Sequence, residues 1–450
     1  MKFKVLAVKH VLGSPKLAEF TYDNDTSELR DRNGVLIVDD AARAKIGCAS
    51  WGVAEATSEQ SPLGKLTRVR DLKIQLGLQC NYSCTYCSQR FVERAETGGP
   101  SQAEVFMNNL DTWLDGSPEK IELWGGEPFV YWKTLRPLGE ALRERFPDAQ
   151  IMVITNGSLL NEEINDWIER LGVCVGVSHD GPGQHVRGPD PLEDPEKRRW
   201  VIDLWRRLSP VGKISFNPMT NRLNMDRGKI QEFFRELLGT DEFLLGEGDF
   251  IDAYDEGGSA CSMQSREEHL GFRRLTLAQT RAGQNDRLEI VNRRVAEWVN
   301  SISTQRPSSS LWQKCGMDRL DTLAVDLKGN VITCQNVSAA AVAPNGRGHK
   351  IGHVSRMDRV ALRTSTHWSE RPGCPTCPML QLCKGSCMFL EDELFKRSCD
   401  SSYSDHVPFF AVAIERLTGY LPFRIEPLEG SLPEDRADLW GRPDEEGVVP

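Results

Sequence analysis

The chain has 450 residues, a formal net charge of −10 from 55 Lys and Arg against 65 Asp and Glu, and a hydrophobic fraction of 39%. It exceeds one core's worth of chain, so two or three structural units are expected. Its acidic balance argues against a general nucleic-acid binder, and no apolar run approaches the roughly 20 residues of a membrane-crossing helix.

Residues 1–68 read as a small β-rich N-terminal region. Phe3, Val5 and Ala7 alternate, as do Phe20 and Tyr22, and Asn33-Gly34 before Val35-Leu36-Ile37-Val38 signals a hairpin turn ahead of a strand. A short helix is expected after Asp39-Asp40, with Gly47 as its stop. The start, Met1-Lys2-Phe3-Lys4, is too charged for a secretory signal, so a cytoplasmic setting is expected.

Residues 69–257 alternate strand and helix. Strand-like runs are Leu72 to Leu76, Ile121 to Trp124, Ile151 to Ile154, Val173 to Val177, Lys213 to Phe216 and Phe243 to Leu245. Helical patterns fall between them, at Ala103 to Leu114, Leu135 to Phe146, Glu162 to Leu171, Pro195 to Leu208 and Lys229 to Leu238. Ser101 ahead of Glu104 reads as a capping box. The alternation predicts parallel βα units, with ligands at the carboxyl ends of the strands. Residues 258–310 are expected to form a helical bridge, with helices from Arg266 to Leu277 and from Leu288 to Val299. Residues 311–425 hold a second set of cysteines, and 426–450 read as an acidic disordered tail.

Thirteen cysteines without an export signal are unlike a disulfide framework, because the cytosol keeps thiols reduced. Ten lie in two sets with ligand-like spacing. Cys80, Cys84 and Cys87 follow the first strand, and Cys315, Cys334, Cys374, Cys377, Cys383, Cys387 and Cys399 make up the second set. Of the others, Cys174 reads as a small buried hydrophobe, while Cys48 and Cys261 stand alone. Three thiolates on one loop suit a four-iron cube with one iron lacking a protein ligand. Zinc or a purely electron-transferring cluster are the plainer alternatives.

The spacing Cys80-x3-Cys84-x-Tyr86-Cys87 resembles the radical SAM superfamily. The resemblance implies a partial (β/α)6 barrel whose first three cysteines hold a [4Fe–4S] cluster. S-adenosyl-L-methionine would chelate the fourth iron and be cleaved reductively to a 5′-deoxyadenosyl radical. Gly125-Gly126-Glu127-Pro128 resembles the family segment that holds the methionine amino group. Asn156, in Thr155-Asn156-Gly157, resembles a segment lining the cofactor cleft. Ser178 and Arg187, in the stretch Ser178-His179-Asp180-Gly181-Pro182 to Arg187, resemble residues near the cofactor's ribose and carboxylate. His185 is balanced between a site role and a polar loop residue.

The second set, with thirteen residues between Cys315 and Gly329 and four between Gly329 and Cys334, resembles the seven-cysteine SPASM signature. This implies a C-terminal Fe–S domain with two auxiliary [4Fe–4S] clusters, one on Cys374, Cys377, Cys383 and Cys399, the other on Cys315, Cys334 and Cys387. The fourth ligand of the latter is open among Cys261, Asp318, water and substrate. SPASM proteins mostly modify peptides or proteins, so a peptide or protein substrate and a flavodoxin- or ferredoxin-type one-electron reductant are the implied partners.

In sulfatase-maturating relatives an aspartate base follows the second SPASM cysteine. Here Gln335 and Asn336 follow Cys334, and an amide cannot take a proton as a carboxylate does. Asp252, Asp255 and Asp321 are other carboxylates that could serve. The expected enzyme is therefore a maturase that installs an intramolecular cross-link in a ribosomally made peptide. Formylglycine formation, tailoring of a small molecule and a non-enzymatic Fe–S electron carrier are the alternatives. Whether residues 1–68 bind a substrate leader or cap the barrel stays open.

Overall fold

The alternation beginning at Asp71 folds as one parallel sheet in the computed structural model, which describes residues 1–11, 14–47, 51–246, 249–286, 289–363 and 366–441. Ahead of it, β1 (Lys2–Val11), β2 (Ser14–Asp23) and β3 (Leu29–Asp31) form antiparallel neighbours. Phe3, Val5, Ala7, Phe20 and Tyr22 are all buried, as a period of two requires. The expected strand Val35 to Val38 shrinks to one bridge between Arg30 and Leu36. The Asp31 carboxylate accepts the amides of Asn33 and Val35, donors that a longer ladder would have used. The helix α1 (Asp40–Ile46) is capped by Asp39, and Gly47 closes it in the left-handed region. Cys48 lies outside the described residues.

After the short β4 (Leu63–Gly64) come β5 (Asp71–Gln75), α2 (Pro100–Asn108), β6 (Lys120–Trp124), α3 (Trp132–Arg145), β7 (Gln150–Thr155), α4 (Glu162–Leu171), β8 (Cys174–Val177), α5 (Pro195–Leu208), β9 (Ile214–Phe216) and α6 (Arg227–Leu238). The start of α2 differs from expectation. Gly99 is the N-cap and donates its amide to the Gln102 side chain, so Ser101 lies inside the helix behind Pro100. Proline at the first helical position presets the turn and displaces the serine from the cap. Cys174 is partly buried, because as the first residue of β8 it sits at the end of the sheet, 3.5 Å from Gln150 Nε2.

The strands β5 to β9 are parallel neighbours in order. The expected sixth, Phe243 to Leu245, is reduced to a bridge between Phe216 and Leu245. A sixth parallel strand arrives instead at the other edge. There β10 (Thr322–Asp326) pairs with β5, Thr322 opposite Asp71, and β11 (Asn330–Ile332) and β12 (Lys350–His353) extend the sheet antiparallel. The order is β12-β11-β10-β5-β6-β7-β8-β9, so one sheet runs across the expected boundary between barrel and cysteine-rich region.

The remaining elements are α7 (Glu256–Cys261), α8 (Arg266–Asp286), α9 (Glu289–Thr304), β13 (Ala361–Leu362), α10 (Leu380–Cys383), α11 (Asp392–Thr418), β14 (Leu421–Pro427) and α12 (Glu434–Ala437). The expected helix start at Leu288 lies outside the described residues. A second core joins Phe3, Val5 and Tyr22 to Trp298, Phe409, Phe410, Ile425 and Trp440. Because β14 pairs with β1, the N-terminal sheet packs on the helices α8, α9 and α11. The tail expected to be disordered is ordered to residue 441, with Leu439 and Trp440 buried and Trp440 donating to the Pro422 carbonyl. Two apolar side chains among the charges suffice to dock it; residues 442–450 lie outside the described residues.

Three ion pairs, the first of them buried, fasten the C-terminal part to the barrel. Arg227 of α6 meets Asp405 of α11 at 2.6 Å, and Asp249 sits between Arg294 and Lys314. Opposite charges so removed from water must stay paired.

Candidate functional site

The first cysteine loop leaves β5 through Gly77, whose φ of 143° and lack of side chain are both required: a Cβ there would lie 2.3 Å from Thr97 Cγ2. Backbone amides then point at sulfur, Tyr82 N to Cys80 at 3.3 Å and Gln89 N to Cys87 at 3.4 Å. The Gly125-Gly126-Glu127 segment docks onto this loop, with Gly126 N donating to the Gly77 carbonyl and Glu127 N to that of Gln79, both at 3.0 Å. A Cβ on Gly126 would sit 2.4 Å from the Gln79 oxygen. The glycine is thus needed for loop-to-loop contact, a reason that the motif alone did not reveal.

Glu127 is buried, and its carboxylate accepts from Phe129 N, Thr155 Oγ1 and Asn156 N. Burial pushes it up to about 7 against those donors. Its role is to tie the end of β6 to the end of β7. Pro128 follows, buried, and opens a 3-10 turn. Asn156 turns its amide nitrogen to Asn81 Oδ1 at 2.9 Å, linking β7 to the cysteine loop. Ser178 donates its backbone amide to the Thr155 carbonyl and lines the same cavity.

Tyr86 and Arg187 converge on a residue that sequence reasoning quoted but gave no role, Asp180. The Tyr86 hydroxyl donates to one carboxylate oxygen, and Arg187 Nε donates to the other at 2.8 Å, which also accepts Met219 N. Burial works against the Arg187 charge, but Asp180 holds it protonated, and the guanidinium lies 5.5 Å from the Tyr86 ring centre. With Nε on Asp180 and Nη2 near the Asn217 carbonyl, only part of the fork faces a ligand. His185 is exposed and off the cavity, whereas His179 is buried against Phe233 and paired with Asp190.

Cys80, Cys84, Cys87, Tyr86, Glu127, Asn156, Ser178 and Arg187 line a cavity of about 750 Å³, and so do Cys315, Cys334 and Cys387. The two sets of three thiols therefore face one space. The segment after Cys334 is stitched to the barrel: Asn336 Oδ1 accepts both Gln89 Nε2 and Trp124 Nε1 at 2.9 Å, and Gln75 Nε2 donates to the carbonyls of Gln335 and Val337 at 2.7 Å.

Of the three alternative carboxylates, only Asp252 lines the cavity, where it accepts the Ser386 hydroxyl. Asp255 caps α7 and pairs with Arg90, and Asp321 pairs with Arg70 and Arg319. Neither protein candidate for the open ligand position reaches the cavity wall. Cys261 is buried in an apolar cluster with Tyr86, Phe250 and Phe272, and Asp318 accepts Gln313 N in the interior. The Tyr254 hydroxyl, missed in the sequence, hydrogen-bonds Cys387 in this wall.

The other four cysteines lie apart. Cys374, Cys377, Cys383 and Cys399 line a second, nearly closed cavity of about 20 Å³ with Met379, Leu380 and Tyr403. Cys383 and Cys387 belong to different cavities although they are four positions apart, a spacing that on a helix would place both on one face. Between them Lys384, Gly385 and Ser386 adopt φ of 50°, 73° and 56°. Three successive left-handed residues, two of them not glycine, are strained and reverse the chain's direction.

The donor chemistry fits iron–sulfur clusters. Burial, reinforced by neighbouring sulfurs, pushes the thiols of Cys334 and Cys377 up to about 12 and that of Cys383 up to about 11. Among the described residues no three Cys, His, Asp or Glu side chains converge on a single ion. The sulfurs instead surround space, as a multi-iron group requires. No helix among the described residues is long and apolar enough to cross a membrane.

A family model described as the radical SAM superfamily matches residues 74–261. Over 117 residues the chain is 26% identical to an uncharacterized protein of Methanocaldococcus jannaschii, covering 25% of this chain and 39% of that one. Over 179 residues it is 22% identical to the radical SAM cyclopropyl synthase TigE of Paramaledivibacter caminithermalis, covering 35% and 37%. The chain thus spans about two fifths of the length of these relatives. Its fold is shared with anSMEcpe, solved with bound AdoMet and a Cp18Cys peptide, at a TM-score of 0.53 and 18% identity over 78% of this chain and 98% of that one.

Proposed function

With a radical SAM domain over residues 74–261 as the premise, we propose that this enzyme modifies a ribosomally made peptide, installing an intramolecular cross-link. In this reading Cys80, Cys84 and Cys87 hold the cluster that binds S-adenosylmethionine, and the two C-terminal thiol groups hold auxiliary clusters. Bound there, cluster and cofactor would supply a 5′-deoxyadenosyl radical for hydrogen abstraction.

The observation that carries the reading is the single cavity lined by both three-thiol sets. A substrate held there touches the radical source on one wall and an electron acceptor on the other. Its volume of about 750 Å³ falls within the range of ligand cavities, large enough for a cofactor with a peptide side chain beside it. Around the cofactor, Tyr86 and Arg187 are locked by Asp180, so orientation is set before binding. Where sulfatase-maturating relatives place an aspartate base, Gln335 and Asn336 here serve as stitching to the barrel, which favours a cross-link over formylglycine. Asp252, one of three carboxyl side chains lining the cavity with Glu127 and Asp249, is the one proposed to take a proton released from substrate.

The test is anaerobic reconstitution with iron and sulfide, which should give about twelve irons per chain and 5′-deoxyadenosine on reduction. Co-expression with a short peptide encoded beside the gene should then lower the peptide's mass by about two units, the two hydrogens lost as one new bond closes. A full iron count without 5′-deoxyadenosine would reduce the protein to an electron carrier.

A further inference from the structure

A part of the chain that composition marked as a disordered tail reaches Cys399, one of the four cysteines of the second cavity. After β14 the chain turns at Pro433 into α12. The Tyr403 hydroxyl donates to the Arg436 carbonyl at 2.7 Å, Arg273 Nη1 donates to that of Asp435 at 2.8 Å, and Leu439 N donates to that of Phe423. These bonds hold Arg436 with its guanidinium 4.8 Å from the centre of the Tyr403 ring, itself part of the cavity wall. From there Nη2 lies 3.3 Å from Cys399 Sγ and 2.6 Å from Asp400 Oδ1.

Two other guanidinium groups are placed differently: Arg273 lies 5.3 Å from the centre of the Tyr403 ring and bonds backbone carbonyls, and Arg371 also bonds backbone. Its Nη2 donates to the carbonyls of Cys387 and Leu390, and its plane lies on Phe395 at 3.8 Å. It braces the backbone, whereas Arg436 presents a charged donor to a sulfur.

We infer that Arg436, delivered by the C-terminal segment, is the charged hydrogen-bond donor that sets the reduction potential of the group held by Cys374, Cys377, Cys383 and Cys399. This rests on the reading of those cysteines as cluster ligands. A cationic N–H on a thiolate draws electron density from the metal and stabilises the reduced, more negative state. The aromatic ring beneath it and the neighbouring Asp400 hold its direction, and the partly buried position limits screening by water. Arg436 is a positioning and tuning residue, since it lies outside the wide cavity.

The experiment is an EPR-monitored redox titration of the reconstituted full chain against Arg436→Met and Arg436→Lys. In Arg436→Met one midpoint potential should move to more negative values, the other two should stay, and the iron content should match the wild type. Arg436→Lys keeps the charge but loses the fork, and should show a smaller shift of the same sign. Fully loaded Arg436→Met with all three potentials unmoved overturns the inference. So does a loss of iron from the four-cysteine group with its potential unmoved in Arg436→Lys, which would make the role structural. Should Arg436→Met fail to fold, unmoved potentials in Arg436→Lys decide against it alone. A wild-type protein holding only about four irons overturns both this inference and the functional reading, whereas about twelve irons leaves the reading standing.

Discussion

The two thiol-lined cavities differ in ways that divide their work. One is wide, bounded by the ends of β5 to β8 and by the segments around Cys315, Cys334 and Cys387, and it carries polar side chains on every wall. The other is almost closed and lined by Met379, Leu380, Phe395 and Tyr403. A space of about 750 Å³ can admit cofactor and substrate; one of about 20 Å³ can admit neither. The wide cavity is where bonds would change, and the closed one a place where only electrons pass.

The largest test of that division removes ligands from each side. Cys84→Ala should abolish 5′-deoxyadenosine formation outright, while Cys377→Ala should leave cofactor cleavage in place and stop peptide modification. Equal loss of cleavage in both would erase the distinction. Next, Arg227→Met leaves Asp405 buried without its cation, and equilibrium unfolding should show a loss of about 3–5 kcal/mol.

In the wide cavity, Gly126→Ala forces the segment off Gln79, and equilibrium dialysis should find S-adenosylmethionine bound roughly tenfold or more weakly, since overpacking costs about 1–3 kcal/mol. The smallest effect lies beside the closed cavity's long helix. Burial pulls His406 down to about 3, below its ordinary unfolded value near 6.5. The unfolded chain therefore binds the extra proton first, and stability falls as pH drops from about 6.5 toward 3. Between pH 6.5 and 5 the His406 contribution is about 2 kcal/mol, and His406→Phe should lose that much less than the wild type on acidification.

Much of the barrel was legible because its signals are local. The helices at 162–171 and 195–208 begin and end as the caps and prolines indicate. The cysteine loop and the glycine segment were likewise readable from strand-end position and spacing. Pairings between distant stretches were not. Nothing in Thr322 to Asp326 announces that it will replace Phe243 to Leu245 as the sixth parallel strand, because a strand's own pattern does not name its partner. Asp180 was visible within its motif, but its hold on both Tyr86 and Arg187 depends on three segments meeting. Arg436 was hidden for a compositional reason: charge, proline and glycine outweighed the few apolar residues that anchor the tail.

The reversal at Lys384-Gly385-Ser386 has a consequence for how the protein is built. Those three residues are a leash of fixed length between Cys383 and Cys387, wound against its own preference and kept so by what grips its two ends. Released at either end, it would relax and drag the other cysteine with it. If both sets hold clusters as proposed, the two C-terminal groups should be assembled together. Partial iron loading should give a mixture of complete and empty C-terminal regions, with few half-filled ones.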